Sequence, residues 1–317
     1  MLIATLPLLP RYRYDITRHP LVDQLRYNTV MPLDVDIDRA VSELIRIAES
    51  KPLWLDLKTR QLRIAKFAYL PYSYVELSHK ISVELPCPLF FKDCIAEIDS
   101  IVDGNRLILS ERPVRTVGAG EPVNILEPTL EIQGFLTDQD REFISAASSQ
   151  GLHNYMLSFV EKKDDIEEIL ALDSKAVIIA KIESQRGLDF VEECARSYPH
   201  VRLMAARDDL YINMGDDKAE ILQALLHIVK HDRNAIAASR IFTSLLDSPT
   251  VSMGDISDLY MLTLTGYSSF MLSDEICRIR DIFKKVIDNW ESFGRVMQKD
   301  KKGRKTWRSV NTGNGHR

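Results

Sequence analysis

Short apolar runs recur along the chain. They are "LIATL" (2–6), "LRYNTV" (25–30), "LWLDL" (53–57), "NYMLSFV" (154–160), "AVIIAKI" (176–182), "VRLMAA" (201–206), "AIAAS" (235–239) and "SSFMLS" (268–273). Each has the length of a strand, and the near-continuous apolar character predicts burial on both faces, as in a parallel sheet. Between them apolar residues return every three or four positions, in "DIDRAVSELIRIAE" (36–49), "DKAEILQALLHIVKH" (217–231) and "DEICRIRDIFKKVIDNWESF" (274–293), which predicts amphipathic helices. Eight strand–helix units predict a closed (β/α)8 barrel rather than an open sheet. The first helix is vestigial, because only "PRYRYDITRHP" is available for it.

One stretch breaks this rhythm. Residues 60–134 contain "YVELSHKISVEL", "IAEIDSIVDGNRLILSE" and "RTVGAGEPVNIL", with alternating apolar and polar positions and the turn signals "DGN" and "GAGEP". The expectation is a small all-β domain inserted after the third strand, so that the barrel comprises residues 1–59 and 135–297. An insertion that follows a strand stands over the barrel's C-terminal face and can act as a lid.

Composition narrows the class. The 317 residues are 45% hydrophobic and 27% charged with a net charge of −5, the profile of an ordinary globular chain and not of a nucleic-acid-binding one. Charge is uneven: residues 298–317 carry seven Lys/Arg against one acid, which predicts a solvated, disordered basic tail. The four cysteines have no close pairing and imply a reducing compartment rather than a disulfide framework or zinc site. "MLIATLPLLPRYRY" reads as a strand and not as a signal peptide, and no apolar run reaches the roughly 18 residues of a spanning helix. A cytoplasmic location without membrane contact follows as the expectation.

The strand ends carry the candidate chemistry. Arg26 and Asn28, Asp56 and Lys58, Lys181 and Glu183, Arg207 to Asp209, Ser239 and Arg240, and Ser273 to Glu275 all fall there. Residues two apart on a strand share a face, so Lys181 and Glu183 project together into the barrel mouth. Several charges in a partly desolvated mouth are costly unless they pair or hold an ion or ligand. Glu183 and Asp209, from adjacent strands, suit a hard dication such as Mg2+ or Mn2+, which keeps positions for substrate oxygens. A lysine beside them would meet negative charge on a phosphate or a developing enolate. Two other features read as structural: Trp54 as packing outside the barrel against a helix, and His227 with His231 as a solvated helix face.

With these residues in place, the chain resembles the pyruvate kinase family. "IIAKIES", "MAARDDL", "IAASRIFTSL" and "MLSDE" are similar, in order and spacing, to that family's K-I-E, A-R-G-D-L, V-A-T-Q-M-L-E-S-M and M-L-S-G-E-T segments. "TLPLLP", "LRYNT" and "LDLKTRQLRI" are similar to its T-I-G-P, R-L-N-F-S and L-D-T-K-G-P-E-I-R, and the likeness runs over about residues 2–280. It implies a TIM barrel of the phosphoenolpyruvate/pyruvate type, with phosphoenolpyruvate, pyruvate or a related 2-oxo acid as substrate and ADP or ATP as phosphoryl partner. It further implies Lys181 and Arg26 at the phosphoryl group, Glu183 and Asp209 on the divalent metal, and Asn28 and Asp56 on K+. Ser239, Arg207 and Asp208 then fall at the substrate.

The departures from the family pattern are specific. Asp208 stands where the family has glycine, Val30 where it has a serine, and Asp274 where it has the glycine of L-S-G-E-T. Thr59-Arg60-Gln61 replaces the K-G-P turn, and the family's C-terminal regulatory domain is expected to be absent. Two alternatives to phosphoryl transfer therefore stay open: a metal-dependent aldolase or lyase of the same barrel type, and a non-catalytic metabolite- or partner-binding barrel.

Overall fold

A computed structural model describes residues 1–8, 10–91, 94–110, 115–215 and 217–311, with the backbone alone described beyond residue 297. The strands in chain order are β1 (Leu2–Thr5), β2 (Gln24–Asn28), β3 (Leu53–Leu57), β4 (Tyr74–Glu76), β5 (Ile81–Ser82), β6 (Cys87–Phe90), β7 (Ile95–Val102), β8 (Arg106–Leu109), β9 (Glu131–Ile132), β10 (Asn154–Leu157), β11 (Val177–Ile182), β12 (Arg202–Ala206), β13 (Ile236–Ala238) and β14 (Ser269–Met271). Eight of them close into a parallel barrel in the order β1-β14-β13-β12-β11-β10-β3-β2. All eight apolar runs of the sequence lie in it. The barrel helices are α1 (Pro10–Thr17), α2 (Ile37–Ala48), α3 (Asp138–Ser149), α4 (Lys163–Leu172), α5 (Gln185–Ser197), α6 (Arg207–Ile212), α7 (Ile221–His231), α8 (Met253–Thr265), α9 (Asp274–Arg278) and α10 (Arg280–Asn311).

Strand alternation divides the barrel into two apolar layers. Leu55, Ile178, Ala180, Ile182, Leu203 and Ala237 face outward and join one large cluster with the helices. Ile3, Trp54, Met156, Ile179, Met204, Ile236 and Met271 face inward and plug the barrel. Trp54 thus packs inside, contrary to the expectation from sequence. The reason is the strand period: Trp54 lies two residues before Asp56 and must share its inward face. Its indole Nε1 donates to Gln24 Oε1 at 2.9 Å, which satisfies the one polar atom of the ring.

Between β3 and α3 lies a separate all-β unit. It has an antiparallel sheet in the order β4-β8-β7-β6, a β5-β9 pair, and its own core around Ile64, Leu77, Leu89, Ile98, Leu107 and Val123. Two differences from the sequence reading concern the C-terminal helices. The periodic stretch 274–293 is broken at Ile279, which is extended (φ −107°, ψ 109°), so that α9 is a short segment capped by Ser273. The break carries no glycine or proline signal. Beyond it, α10 continues as helix to Asn311 through most of the segment expected to be disordered; residues 312–317 lie outside the described residues. Among the described residues no helix is long and apolar enough to cross a membrane.

Candidate active site at the barrel mouth

The inward face of each strand changes character at its C-terminal end. On β11 the inward residues run Ile179, Lys181 and then Glu183 just past the strand; on β3 they run Trp54 and Asp56; on β2 Arg26 and Asn28 point in from the neighbouring stave. The outcome is a buried ionic network. Lys181 Nζ lies 3.0 Å from Asp56 Oδ1 and 3.4 Å from Glu183 Oε1. Arg26 Nε donates to Asp56 Oδ2 at 2.7 Å, while its Nη1 reaches Thr5 Oγ1 and Asp274 Oδ2, both at 2.9 Å. Glu183, 1% exposed, receives the Phe159 backbone N–H on Oε2 at 2.8 Å. That N–H is presented by a non-glycine residue at φ +49°, a backbone state that persists only where the surroundings impose it.

Proton affinities show how the charges balance. Burial alone would push the Lys181 ammonium down, but Asp56 and Glu183 outweigh it and hold Lys181 above the usual lysine range. Burial would raise Asp56, yet Lys181 and Arg26 keep it below the usual carboxylate range. Glu183 goes the other way: burial raises it, Lys181 offsets only part of that, and the nearby Asp209 adds to it, so its carboxyl is pushed up to about 7. Asp209 is raised as well: burial outweighs the opposing charges of Lys181 and Arg63, and the adjacent Asp208 adds to it. Asp56 has the cations it needs. The pair Glu183 and Asp209 does not.

That shortfall is the test of a metal. Two carboxylates that stay raised although Lys181 and Arg63 face them fit a hard dication, which would neutralise them and leave coordination positions for substrate oxygens. Among the described residues no group of three or more His, Cys, Asp and Glu side chains forms a metal cage, and His227 and His231 stand with ring centroids 4.5 Å apart without a further ligand. For K+ the donor set is a poor fit. Asn28 Oδ1 already accepts from the Val30 N–H at 3.2 Å, its Nδ2 donates to Asp274 Oδ2 at 3.0 Å, and Asp56 is held by Arg26 and Lys181.

The remaining candidates are placed differently from one another. Arg207 turns away from the mouth: its Nη1 grips both oxygens of Asp258 at 2.7 and 2.8 Å, and its Nε and Nη2 donate to the Ala238 and Ser239 carbonyls. Its role is to tie the ends of β12, β13 and α8 together. Asp208 pairs with Arg240 at 2.5 Å. Ser239 is half-buried at the end of β13 with φ +67°.

Three further residues contribute to the mouth. Asp274 binds both Arg26 and Asn28. Arg63, entering the inserted domain, has its affinity lowered by burial and partly restored by Asp56, Asp209 and Glu183, and its Nη1 donates to the Gly120 carbonyl at 2.7 Å. Thr59, in the turn that lacks Gly-Pro, holds φ +42° because its N–H donates to Asp140 Oδ2 at 3.0 Å and its hydroxyl to the Ser158 carbonyl. The inserted domain also meets the barrel through Asn213 Nδ2 to Asn124 Oδ1 at 3.1 Å, from α6.

Comparison with known proteins decides the family. The profile described as "Pyruvate kinase, barrel domain" matches residues 89–279, more than half of the chain. The chain belongs to the pyruvate kinase family. It is 32% identical over 161 residues to the pyruvate kinase of Thermoplasma acidophilum, which covers 48% of this chain and 29% of that protein. Against the pyruvate kinase of Methanocaldococcus jannaschii it is 23% identical over 274 residues, covering 76% of this chain and 59% of the relative. The pyruvate kinase of Borreliella burgdorferi is 28% identical over 178 residues. The matched stretches span 29% to 59% of the length of these pyruvate kinases. The matched span contains Lys181, Glu183, Asp209 and Asp274 of the barrel mouth.

Proposed function

We propose that the mouth binds Mg2+ or Mn2+ through Glu183 and Asp209 and acts on phosphoenolpyruvate, pyruvate or a related 2-oxo acid, with phosphoryl transfer involving ADP or ATP as the favoured reaction. The observation that carries this reading is Lys181, buried and fully ionised against Asp56 and Glu183, while Glu183 itself is short of positive charge. A bound dication would supply Lewis acidity toward substrate oxygens and offset the charge of a phosphoryl group. The chain's own residues do the positioning.

Lys181 keeps its proton throughout, since two carboxylates hold it, so it acts as fixed positive charge toward an enolate or phosphoryl oxygen and not as a base. Arg26 is fixed by Asp56, Thr5 and Asp274, which orients the guanidinium before any substrate arrives. The inserted domain, hydrogen-bonded to the barrel through Asn213, would serve as the lid that keeps water from the mouth. Phosphoryl transfer is largely positioning plus electrostatics, which is what these groups provide. K+ is given no step, because its expected donors are engaged within the protein.

The test is a coupled assay for pyruvate formed from phosphoenolpyruvate and ADP in the presence of Mg2+. Removing a preorganised charge of this kind costs about 100- to 1,000-fold, so Lys181→Met is expected to lose at least that much. Unchanged turnover in Lys181→Met would remove the lysine from its role. A second reading, metal-dependent carbon–carbon cleavage on the same enolate chemistry, is favoured by one observation: Asp208 adds a carboxylate next to the proposed metal ligand Asp209 and raises it further. Retro-aldol turnover with no nucleotide requirement would select it.

A further inference from the structure

Resting on that reading, we propose that Asp274 is an internal competitor for Arg26. Its carboxylate occupies donors that a substrate phosphoryl group needs, and it thereby sets the preference of the mouth between phosphorylated and unphosphorylated acids. The position is a departure: Leu272-Ser273-Asp274-Glu275 stands where the family pattern reads L-S-G-E, and a glycine has no side chain with which to make such a contact.

A guanidinium carries five N–H donors. Arg26 Nε donates to Asp56 Oδ2 at 2.7 Å, and Nη2 lies 2.5 Å from the same oxygen. Nη1 divides its two hydrogens between Thr5 Oγ1 and Asp274 Oδ2, both at 2.9 Å. One N–H is left, whereas a guanidinium grips a phosphoryl group in a defined orientation through two parallel donors. Exposure shows which partner can yield. The side chains of Arg26 and Asp56 are 9% and 4% exposed, that of Asp274 30%. Asp274 is therefore the partner on the solvent side, where an arriving anion meets it.

Charge points the same way. Around Arg26 stand two cations, itself and Lys181, against two anions, Asp56 and Asp274. With Asp274 in place the cluster holds no surplus positive charge for an incoming phosphoryl group. Burial alone would lower the proton affinity of Arg26; Asp274 and then Asp56 outweigh it and hold the guanidinium above its usual range. The contact is also displaceable. Asp274 is the first residue of α9, after the cap Ser273, so its side chain can turn about its own bonds while the helix stays. Its Oδ1 is buried without a hydrogen-bond partner among the described residues, and turning outward returns that oxygen to water. Arg26 keeps Asp56 and Thr5, and with them its orientation. Pyruvate, lacking a phosphoryl group, makes no demand on the donors that Asp274 holds.

Calorimetric titration of the full chain with phosphoenolpyruvate and with pyruvate, each in the presence of Mn2+, tests this on the wild type, Asp274→Asn and Asp274→Glu. Regained charge-assisted hydrogen bonds correspond to about 10- to 100-fold, so the ratio of phosphoenolpyruvate to pyruvate affinity is expected to rise by that factor in Asp274→Asn. Asp274→Glu keeps the competing charge and should leave the ratio near the wild-type value. A residue that only braces Arg26 would loosen both acids together. An unchanged ratio in Asp274→Asn, or one shifted toward pyruvate, overturns the proposal and leaves the proposed function standing. Mn2+-loaded protein that takes up neither acid, as wild type and as Asp274→Asn, overturns both.

Discussion

The lower and upper halves of the barrel interior are built from the same strands and differ in almost everything else. Ile3 lies below Thr5, Trp54 below Asp56 and Ile179 below Lys181, each pair two residues apart on one face. The lower member joins an apolar plug; the upper member joins a buried polar and ionic network. One step of about 7 Å along a strand changes the currency of stability from packing to electrostatics. Burial is nearly the same in both halves, so burial by itself does not make the site. The mouth is distinguished by charges that are matched around Asp56 and under-matched around Glu183 and Asp209.

The sharpest way to break the comparison is to truncate the upper and lower neighbours on β11. Lys181→Met leaves Asp56 and Glu183 with a missing partner, a loss of about 3 to 5 kcal/mol when one member of a buried pair is removed. Ile179→Ala opens a cavity in the plug and costs about 2 to 4 kcal/mol. Thermal or urea unfolding measures both, and Mg2+ separates them: saturating Mg2+ should recover part of the Lys181→Met loss and none of the Ile179→Ala loss. Equal responses to Mg2+ would erase the distinction between the two halves.

A smaller effect comes from pH. Glu183 in the folded chain holds its proton up to about pH 7, whereas an unfolded glutamate releases it near about 4.3. Between those values the folded state binds the extra proton, so stability contributed by this group falls as pH rises and the decline stops above pH 7. Compared with Glu183→Gln in the absence of divalent ions, the wild type is expected to lose roughly 1 kcal/mol per pH unit between pH 5 and 7. A flat difference between the two proteins would show that Glu183 is already neutralised.

Smaller again is the packing that holds α5 under the site. A Cβ on Gly187 would come within 2.9 Å of the Val160 carbonyl, and backbone at that point does not yield easily. Gly187→Ala should cost about 1 to 3 kcal/mol, read by unfolding, with Mn2+ affinity little changed.

The sequence made the architecture readable because a parallel barrel strand writes itself as a short two-face apolar run, and all eight did so. Lys181, Glu183 and Asp56 were readable for the same reason: strand period alone sends them inward. Trp54, read from sequence as packing outside, belongs inside by that same period, since it lies two residues before Asp56. Arg207 could not be assigned from its strand-end position, since an arginine there can turn toward the mouth or, as here, toward Asp258 on the neighbouring helix. The Asp208–Arg240 pair and the clasp of Asp274 on Arg26 and Asn28 join positions 32 and about 250 residues apart, and no periodicity in a single chain encodes which of these side chains meet. The break at Ile279 has no local signal at all.

The claim on which the rest depends is that Glu183 and Asp209 share one dication. Manganese binding followed by electron paramagnetic resonance tests it directly, on the wild type and on Glu183→Gln and Asp209→Asn. The account predicts one Mn2+ bound by the wild type and a loss of at least tenfold in affinity in each variant, with the fold intact by circular dichroism. Undiminished Mn2+ binding in both variants, or no Mn2+ bound by the wild type, would contradict it.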